Sequence, residues 1–334
     1  LVYTGARGVS PFPSLLPRAP AQPLPPLPSA NWGEDSRGGT EEEMAVETRS
    51  LLLRSVLAVP FSSLIALRAL RRNSLDRSGA VAGFLVMAIH IAAGYRFGAL
   101  ITVFFFTSSY VTKVGLEVKR NVEADFKEGG QRNWVQVMAN SVIATSLVLL
   151  IGTITNWQDR CLDKRESRIV TGLVGGVIGH YACCNGDTWS SELGVLSDEQ
   201  PRLITTFKKV QRGTNGGVTV QGLLAAAAAG GVIGLTHFLL GFFTTKCAGD
   251  VVLRQLLVIP VSAAAGLCGS VIDSLLGATL QFSGFCSIRK KVVGKPGPSV
   301  KRISGTSILD NDAVNFVSVL LTTLLTSIVF LYIF

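Results

Sequence analysis

Asp187 and Glu192, with the hydroxyls of Thr188, Ser190 and Ser191 between them, close an apolar, glycine-spaced run at 169–184. Carboxylates at the end of a membrane helix are costly to desolvate, so a pair there points to a bound cation or to acid–base work. On an unbroken helix a spacing of five puts the two about 140° apart around the axis. They converge if Asn185-Gly186 breaks the helix and Asp187 opens the next, where an Asp also serves as an N-cap. Capping accounts for Asp187 but not for Glu192 beside Leu193. Asp273 is the sharper case, because no other charge lies between Arg254 and Arg289. A carboxyl in such a run must be neutral, paired, or holding a cation.

Three cations, Lys208, Lys209 and Arg212, precede Thr214, Asn215, Gly216 and Gly217 and the apolar run that follows. A glycine-rich turn at a helix N-terminus offers free backbone N–H groups to phosphate oxygens, although the spacing is not that of a Walker A loop. The plainer alternative is a hairpin with a solvated basic face. Asp310, Asn311, Asp312 and Asn315 crowd the start of the last apolar segment, and capping explains one or two of them. Arg132, Gln136 and Asn140 recur at the helical period, and with Lys113 and Lys119 they form a second tier of candidates. This inventory matches phosphoryl transfer. Mg²⁺ on Asp187, Asp273 and Asp312 would bridge phosphate oxygens while the basic loop and Asn311 neutralise charge.

The elements that must position these groups are membrane helices. Mean hydropathy is +0.43, 48% of residues are hydrophobic and 16% charged, which is too apolar for an ordinary soluble domain. Eight apolar segments, near 49–67, 79–94, 97–112, 135–155, 169–184, 217–243, 253–280 and 313–334, predict an all-α polytopic bundle with about seven or eight crossings. With eight crossings, the loops 68–78, 113–134, 185–216 and 281–312 share one side and carry nineteen basic residues against nine on the other. That bias assigns them to the cytosol. The stretch Arg289–Lys301 reads as a cytosolic loop facing anionic lipid. Glycines at 172, 175, 176 and 179, and at 230, 231 and 234, read as helix-packing stripes. The six cysteines lack Cys-x-x-Cys spacing and read as reduced small hydrophobes rather than a disulfide framework. His90, His180 and His237 read as packed rather than as ligands. The net charge of +9 suits anionic lipid or phosphorylated ligands, and no soluble basic domain exists to hold nucleic acid. Residues 1–43 are Pro-rich and read as a disordered extension, with the natural start expected at Met44 and residues 44–334 as one integral-membrane domain.

The motifs Asn-Gly-Asp-Thr-Trp-Ser-Ser-Glu-Leu-Gly (185–194), Gly-Thr-Asn-Gly-Gly-Val-Thr (213–219), Gly-Ser-Val-Ile-Asp-Ser-Leu-Leu-Gly-Ala (269–278) and Asn-Asp-Ala-Val-Asn (311–315) resemble the transmembrane protein 19 family. That family also includes the plastid phytyl-phosphate kinases. The resemblance covers nearly everything after about residue 50. It implies a multi-pass membrane fold and, for the kinase branch, transfer of a phosphoryl group from CTP or ATP to a prenyl monophosphate. By position it assigns metal and phosphate handling to Asp187, Glu192, Asp273 and Asp312. Lys209, Arg212, Asn215 and Gly216 would face the nucleotide. Ser190 departs from the alanine expected in the motif. The acidic residues Glu34, Asp35 and Glu41–Glu43 do not fit a transit peptide, which favours an endomembrane such as the ER over the plastid envelope. The rival readings are a non-catalytic transporter or signalling scaffold, and a cytidylyltransferase-like lipid enzyme.

Overall fold

A computed structural model describes residues 35–122, 130–245, 247 and 249–334. The chain divides into two units, Leu1–Glu43 and Met44–Phe334. Most of the proposed disordered extension (1–34), together with Lys127 and Lys246 from the charge comparison, lies outside the described residues. Residues 35–43, expected to carry no fold, are helical: the first helix begins at Asp35, and Glu41–Glu43 are good helix formers.

Each apolar segment is mainly helical, and the described helices number eleven. In chain order these are α1 (Asp35–Arg71), α2 (Arg77–Ala93), α3 (Tyr95–Thr112), α4 (Leu116–Val122), α5 (Trp134–Ala139), α6 (Val142–Thr155), α7 (Arg168–Gly194), α8 (Val220–Thr244), α9 (Gly249–Gln255), α10 (Val258–Leu280) and α11 (Asn311–Ile333). Among the described residues, four stretches are long and apolar enough to cross a membrane: 49–71, 220–244, 251–280 and 311–333. A fifth span arises if α3 and α4, bent by 73°, are taken together. Helices α2 and α6 are apolar but shorter. The outward faces of α1, α2 and α8 carry bare hydrophobics such as Leu64, Val81 and Phe243, as lipid-facing surfaces do.

The helix expected to break does not. Helix α7 runs unbroken through Asn185-Gly186, so Asp187 is a mid-helix residue and not an N-cap. It is the central post, touching α3, α6, α8, α10 and α11, with Val177, Ile178, Tyr181, Ala182 and Cys183 fully buried. The glycine stripes work as packing surfaces: Gly175 and Gly179 receive Phe330 and Thr326 of α11, and Gly230 abuts the Ser262 carbonyl of α10. The histidines are packed, as expected. His90 bonds the Val86 carbonyl through Nδ1 (2.9 Å), and its Nε2 accepts from the Tyr181 hydroxyl (2.7 Å).

At one end of the bundle the loop after α6 is tied down on several sides. Arg54 donates to the carbonyls of Ala93 (3.0 Å) and Trp157 (2.7 Å). Arg96 pairs with Asp159 (3.4 Å) and donates to the Arg160 carbonyl (2.6 Å). A Cys161–Cys247 disulfide joins this loop to the one after α8. This corrects the all-reduced reading: the partners are 86 residues apart, and proximity of two loops leaves no spacing signal in the sequence. Cys183, Cys184, Cys268 and Cys286 are free.

The opposite end holds the strands that an all-α reading omitted. β1 (Arg202–Leu203) pairs with β2 (Gly217–Val218). β3 (Ser283–Cys286), β4 (Lys291–Val293) and β5 (Val300–Ser304) form an antiparallel sheet in the order β4-β3-β5. The basic stretch 289–301 is therefore part of a three-stranded sheet, with β4 and the start of β5 on either side of β3, and not a free loop. Its strands are too short and too polar for a period-two pattern to stand out.

Candidate functional site

Asp187 and Asp273 meet. Gly269 of α10 lies against Cys183 of α7, so closely that a Cβ there would sit 2.8 Å from the Cys183 Cβ. One helical turn further along each helix comes an aspartate, and residues four apart share a face. The two carboxyls lie close enough to act on each other electrostatically. Ser318 of α11 donates to Asp273 Oδ2 at 3.1 Å, fixing its orientation. Two carboxylates this close repel unless a proton or a cation lies between them. Two residues before Asp187, the buried Asn185 ties α7 to α3 and α8. Its Oδ1 accepts from Thr107 (2.9 Å) and Ser108 (3.0 Å) of α3, and its Nδ2 donates to the Ala229 carbonyl of α8 (3.1 Å).

The pair lines a cavity of about 790 Å³. All four loops that the charge bias placed on one side contribute to its wall, through Leu75, Arg132, Asn215 and Lys295 among others. Its polar end holds Asp187, Asp273, Arg212, Asn215, Asn311 and Asn315. Its other end is apolar, formed by Val86 and Met87 of α2, Ile101, Phe104 and Phe105 of α3, and Val137 of α5. Along α3 the lining runs from Thr112 to Ile101, a depth of about 16 Å at the rise of an α-helix. The cavity is amphiphilic, with a charged head region and an apolar limb.

Glu192 also lines the cavity, but its carboxylate is engaged in an ion pair with Lys119 Nζ at 2.6 Å. The same buried ammonium donates to the carbonyls of Val111 and Thr112, both at 3.1 Å. Lys119 thus caps the end of α3 at the bend into α4 and holds Glu192 in place, which is a positioning arrangement and not a free catalytic carboxylate. Arg132 lies on the same wall. Burial lowers its pKa from the ordinary guanidinium value, and the nearby Glu192 charge opposes that shift.

The basic loop is only partly brought to the site. Arg212, Thr214, Asn215, Gly216 and Gly217 line the cavity, whereas Lys208 and Lys209 do not and stay exposed. The loop turns outward there, with Lys209 bridging back to Arg202. Nor does it run straight into a helix: β2 intervenes and Thr219 caps α8. Three of its N–H groups are used within the protein, Thr214 on the Gln211 carbonyl (3.2 Å), Gly217 on the Thr214 carbonyl (2.9 Å) and Asn215 on Ser283 Oγ (3.0 Å). Gly216, at φ +76°, passes so close to α10 that a Cβ would lie 2.5 Å from the Ser274 carbonyl oxygen.

At the start of α11, Asp310 is the N-cap, accepting from Ala313 N at 2.9 Å. Asn311 and Asn315, four residues apart, face the cavity. Asp312 sits in the first turn, where a carboxylate favours the helix dipole, and does not line the cavity. The expected Asp187–Asp273–Asp312 metal triad is not assembled, and among the described residues no three His, Cys, Asp or Glu side chains gather as a metal set. Sequence reasoning missed Lys295 as a site cation and Ser318 as the Asp273 partner. The first was hidden in a loop read as lipid-facing, the second in an apolar helix where Ser is unremarkable. Gln136 and Asn140 do line the cavity, although α5 covers just 134–139 of their run.

Residues 60–323 match the family described as "Integral membrane protein DUF92". The chain is 68% identical to "Protein PGR" of Arabidopsis thaliana over 281 residues, 84% of this chain and 98% of that one. It is 32% identical to an uncharacterized membrane protein of Methanocaldococcus jannaschii, covering 72% of this chain and 89% of the relative. An uncharacterized membrane protein of Synechocystis is 28% identical over 70% of this chain and 85% of its own length. No solved structure matches. The resemblance to a multi-pass membrane family is borne out.

Proposed function

The chain belongs to the DUF92 family of integral membrane proteins, and from the amphiphilic cavity we propose that it is a prenyl-phosphate kinase. It would transfer the terminal phosphoryl group of CTP or ATP to an isoprenoid monophosphate. The observation that carries this reading is a single cavity, running about 16 Å along α3, that is lined by paired carboxylates, cations and amides and also by apolar side chains of α2 and α3. A substrate that fills both ends has a phosphate head and a hydrocarbon tail.

Asp187 and Asp273 form the donor set a Mg²⁺ ion takes, since that ion is held by one or two carboxylates and completes its shell with water and phosphate oxygens. Mg²⁺ bound there supplies charge neutralisation between donor and acceptor phosphates. Ser318 keeps the Asp273 carboxylate oriented. Arg212 and Lys295 offset phosphate charge, and the Asn311 and Asn315 amides donate to phosphate oxygens. The apolar limb holds the tail so that the head cannot drift from its attack position. An acceptor phosphate oxygen attacks the donor's terminal phosphorus, the bond to the nucleoside diphosphate breaks, and a prenyl diphosphate leaves. The excess of basic residues on the loops around the cavity supports a cytosolic head region, and we place the protein in an endomembrane such as the ER.

The test uses the full chain in lipid nanodiscs with geranylgeranyl phosphate, Mg²⁺ and terminally labelled CTP or ATP. Wild type should form labelled geranylgeranyl diphosphate, Asp187→Asn should lose about 100-fold or more, and chelation of Mg²⁺ should stop the reaction. No label on any polyprenyl phosphate with either nucleotide would overturn the kinase reading in favour of a transporter or scaffold. Transfer of the nucleotide moiety would replace it with a cytidylyltransferase.

A further inference from the structure

We propose that a second pocket on the same face, about 370 Å³ in volume, holds the nucleoside of the phosphoryl donor. This rests on the kinase reading above and adds to it the place where the donor is recognised. The volume falls in the range of small-ligand sites. The pocket is separated from the large cavity by a common wall, since Val122, Arg212 and Val292 line both. A ligand reaching across that wall needs an anionic chain at one end and a hydrogen-bonding group at the other, which describes a nucleoside triphosphate.

Part of the lining suits a base and its sugar, beside the cations Lys290, Lys291 and Arg212. Phe285 sits on β3, in register between Val292 of β4 and Lys301 of β5, and presents an aromatic surface in a half-buried position. Aromatic side chains stack on any base. Asn121 and Gln211 make no side-chain hydrogen bond among the described residues, and an amide carries both donors and acceptors for a base edge. The Asp198 carboxylate can accept from sugar hydroxyls. Arg212 is anchored to the Asp198 carbonyl through Nη2 at 3.2 Å, leaving further N–H groups for phosphate oxygens at the boundary between the two pockets.

Binding of Mg·CTP, Mg·ATP and inorganic tripolyphosphate to the full chain in nanodiscs separates the base contribution from that of the phosphates. Phe285→Ala should weaken nucleotide binding about tenfold or more while tripolyphosphate binds as in wild type. Phe285→Tyr should restore it, and Gln211→Ala, an exposed change with little bearing on folding, should alter the CTP-to-ATP preference. The proposal is overturned if Phe285→Ala and Gln211→Ala both bind nucleotide like wild type, or if tripolyphosphate loses as much as the nucleotides do. Prenyl-phosphate transfer with an unchanged nucleotide KM in both variants would sink this pocket and leave the kinase reading standing. Nucleotide binding that depends on Phe285 without any transfer would do the reverse.

Discussion

At the residue scale, the carboxylates were legible because charge inside an apolar run is conspicuous, but their partners were not. Asp187 and Asp273 stood out from composition alone, whereas the Glu192–Lys119 pair joins two distant stretches and leaves no local signal. That pair changes what Glu192 does. Lys119 is almost fully buried and Glu192 about one-fifth exposed, so removing one partner strands a charge. We expect Lys119→Met to cost about 3 kcal/mol of stability, read as a lowered melting temperature in detergent. Lys119→Met with Glu192→Gln should recover much of the loss. If the double variant is no better than the single one, the ion pair is not what holds the wall. Asp187→Asn and Asp273→Asn should behave differently: both should keep their melting temperature while losing transfer, because each removes a site charge and relieves the repulsion between the pair. A fall in stability equal to that of Lys119→Met would mark the carboxylates as structural.

At the element scale, the glycines decide where the acids go. A break at Asn185-Gly186 was the condition under which Asp187 and Glu192 would converge, yet Gly186 stays in α7, packed on the backbone of Gly266. A lone helix has no way to reveal that contact, since it depends on α10. Gly269 seats Cys183 and thereby aligns the aspartates one turn later. Gly269→Leu should push α7 and α10 apart and abolish transfer, with a smaller effect from Gly269→Ala. A Gly269→Leu variant with full activity would show that the aspartates need not meet. The segment pattern located the long apolar helices, because such runs are strong signals, but not the short polar α4 or the first turns of α1. The sheet of β3, β4 and β5 escaped notice because its strands span 283–286, 291–293 and 300–304 and carry no clear alternation. The Cys161–Cys247 bond likewise joins loops that are neighbours in space alone. Non-reducing gels should show a mobility shift that Cys161→Ser and Cys247→Ser each remove, at a cost of about 2–4 kcal/mol in stability. Identical mobility with and without reductant would exclude the bond.

At the scale of the whole molecule, the two ends of the bundle differ in kind. One is clamped by Arg54, Arg96 and the disulfide; the other opens into the cavity, with basic loops around it. The charge count anticipated which loops share a side, and their meeting around one cavity is the structural counterpart. What hydropathy could not convey was that apolar residues of α2 and α3 line a cavity as well as facing lipid, since both surroundings select the same side chains. The most direct measurement uses a geranylgeranyl phosphate carrying a photoreactive group at the tail tip, bound to the full chain in nanodiscs and mapped by mass spectrometry. We expect cross-links to Met87, Ile101 and Phe104, competed away by unlabelled prenyl phosphate and lost in Gly83→Trp. Labelling confined to outward-facing residues such as Phe242, Phe243 and Leu253, unaffected by competitor, would contradict a prenyl phosphate seated with its head at Asp187 and Asp273.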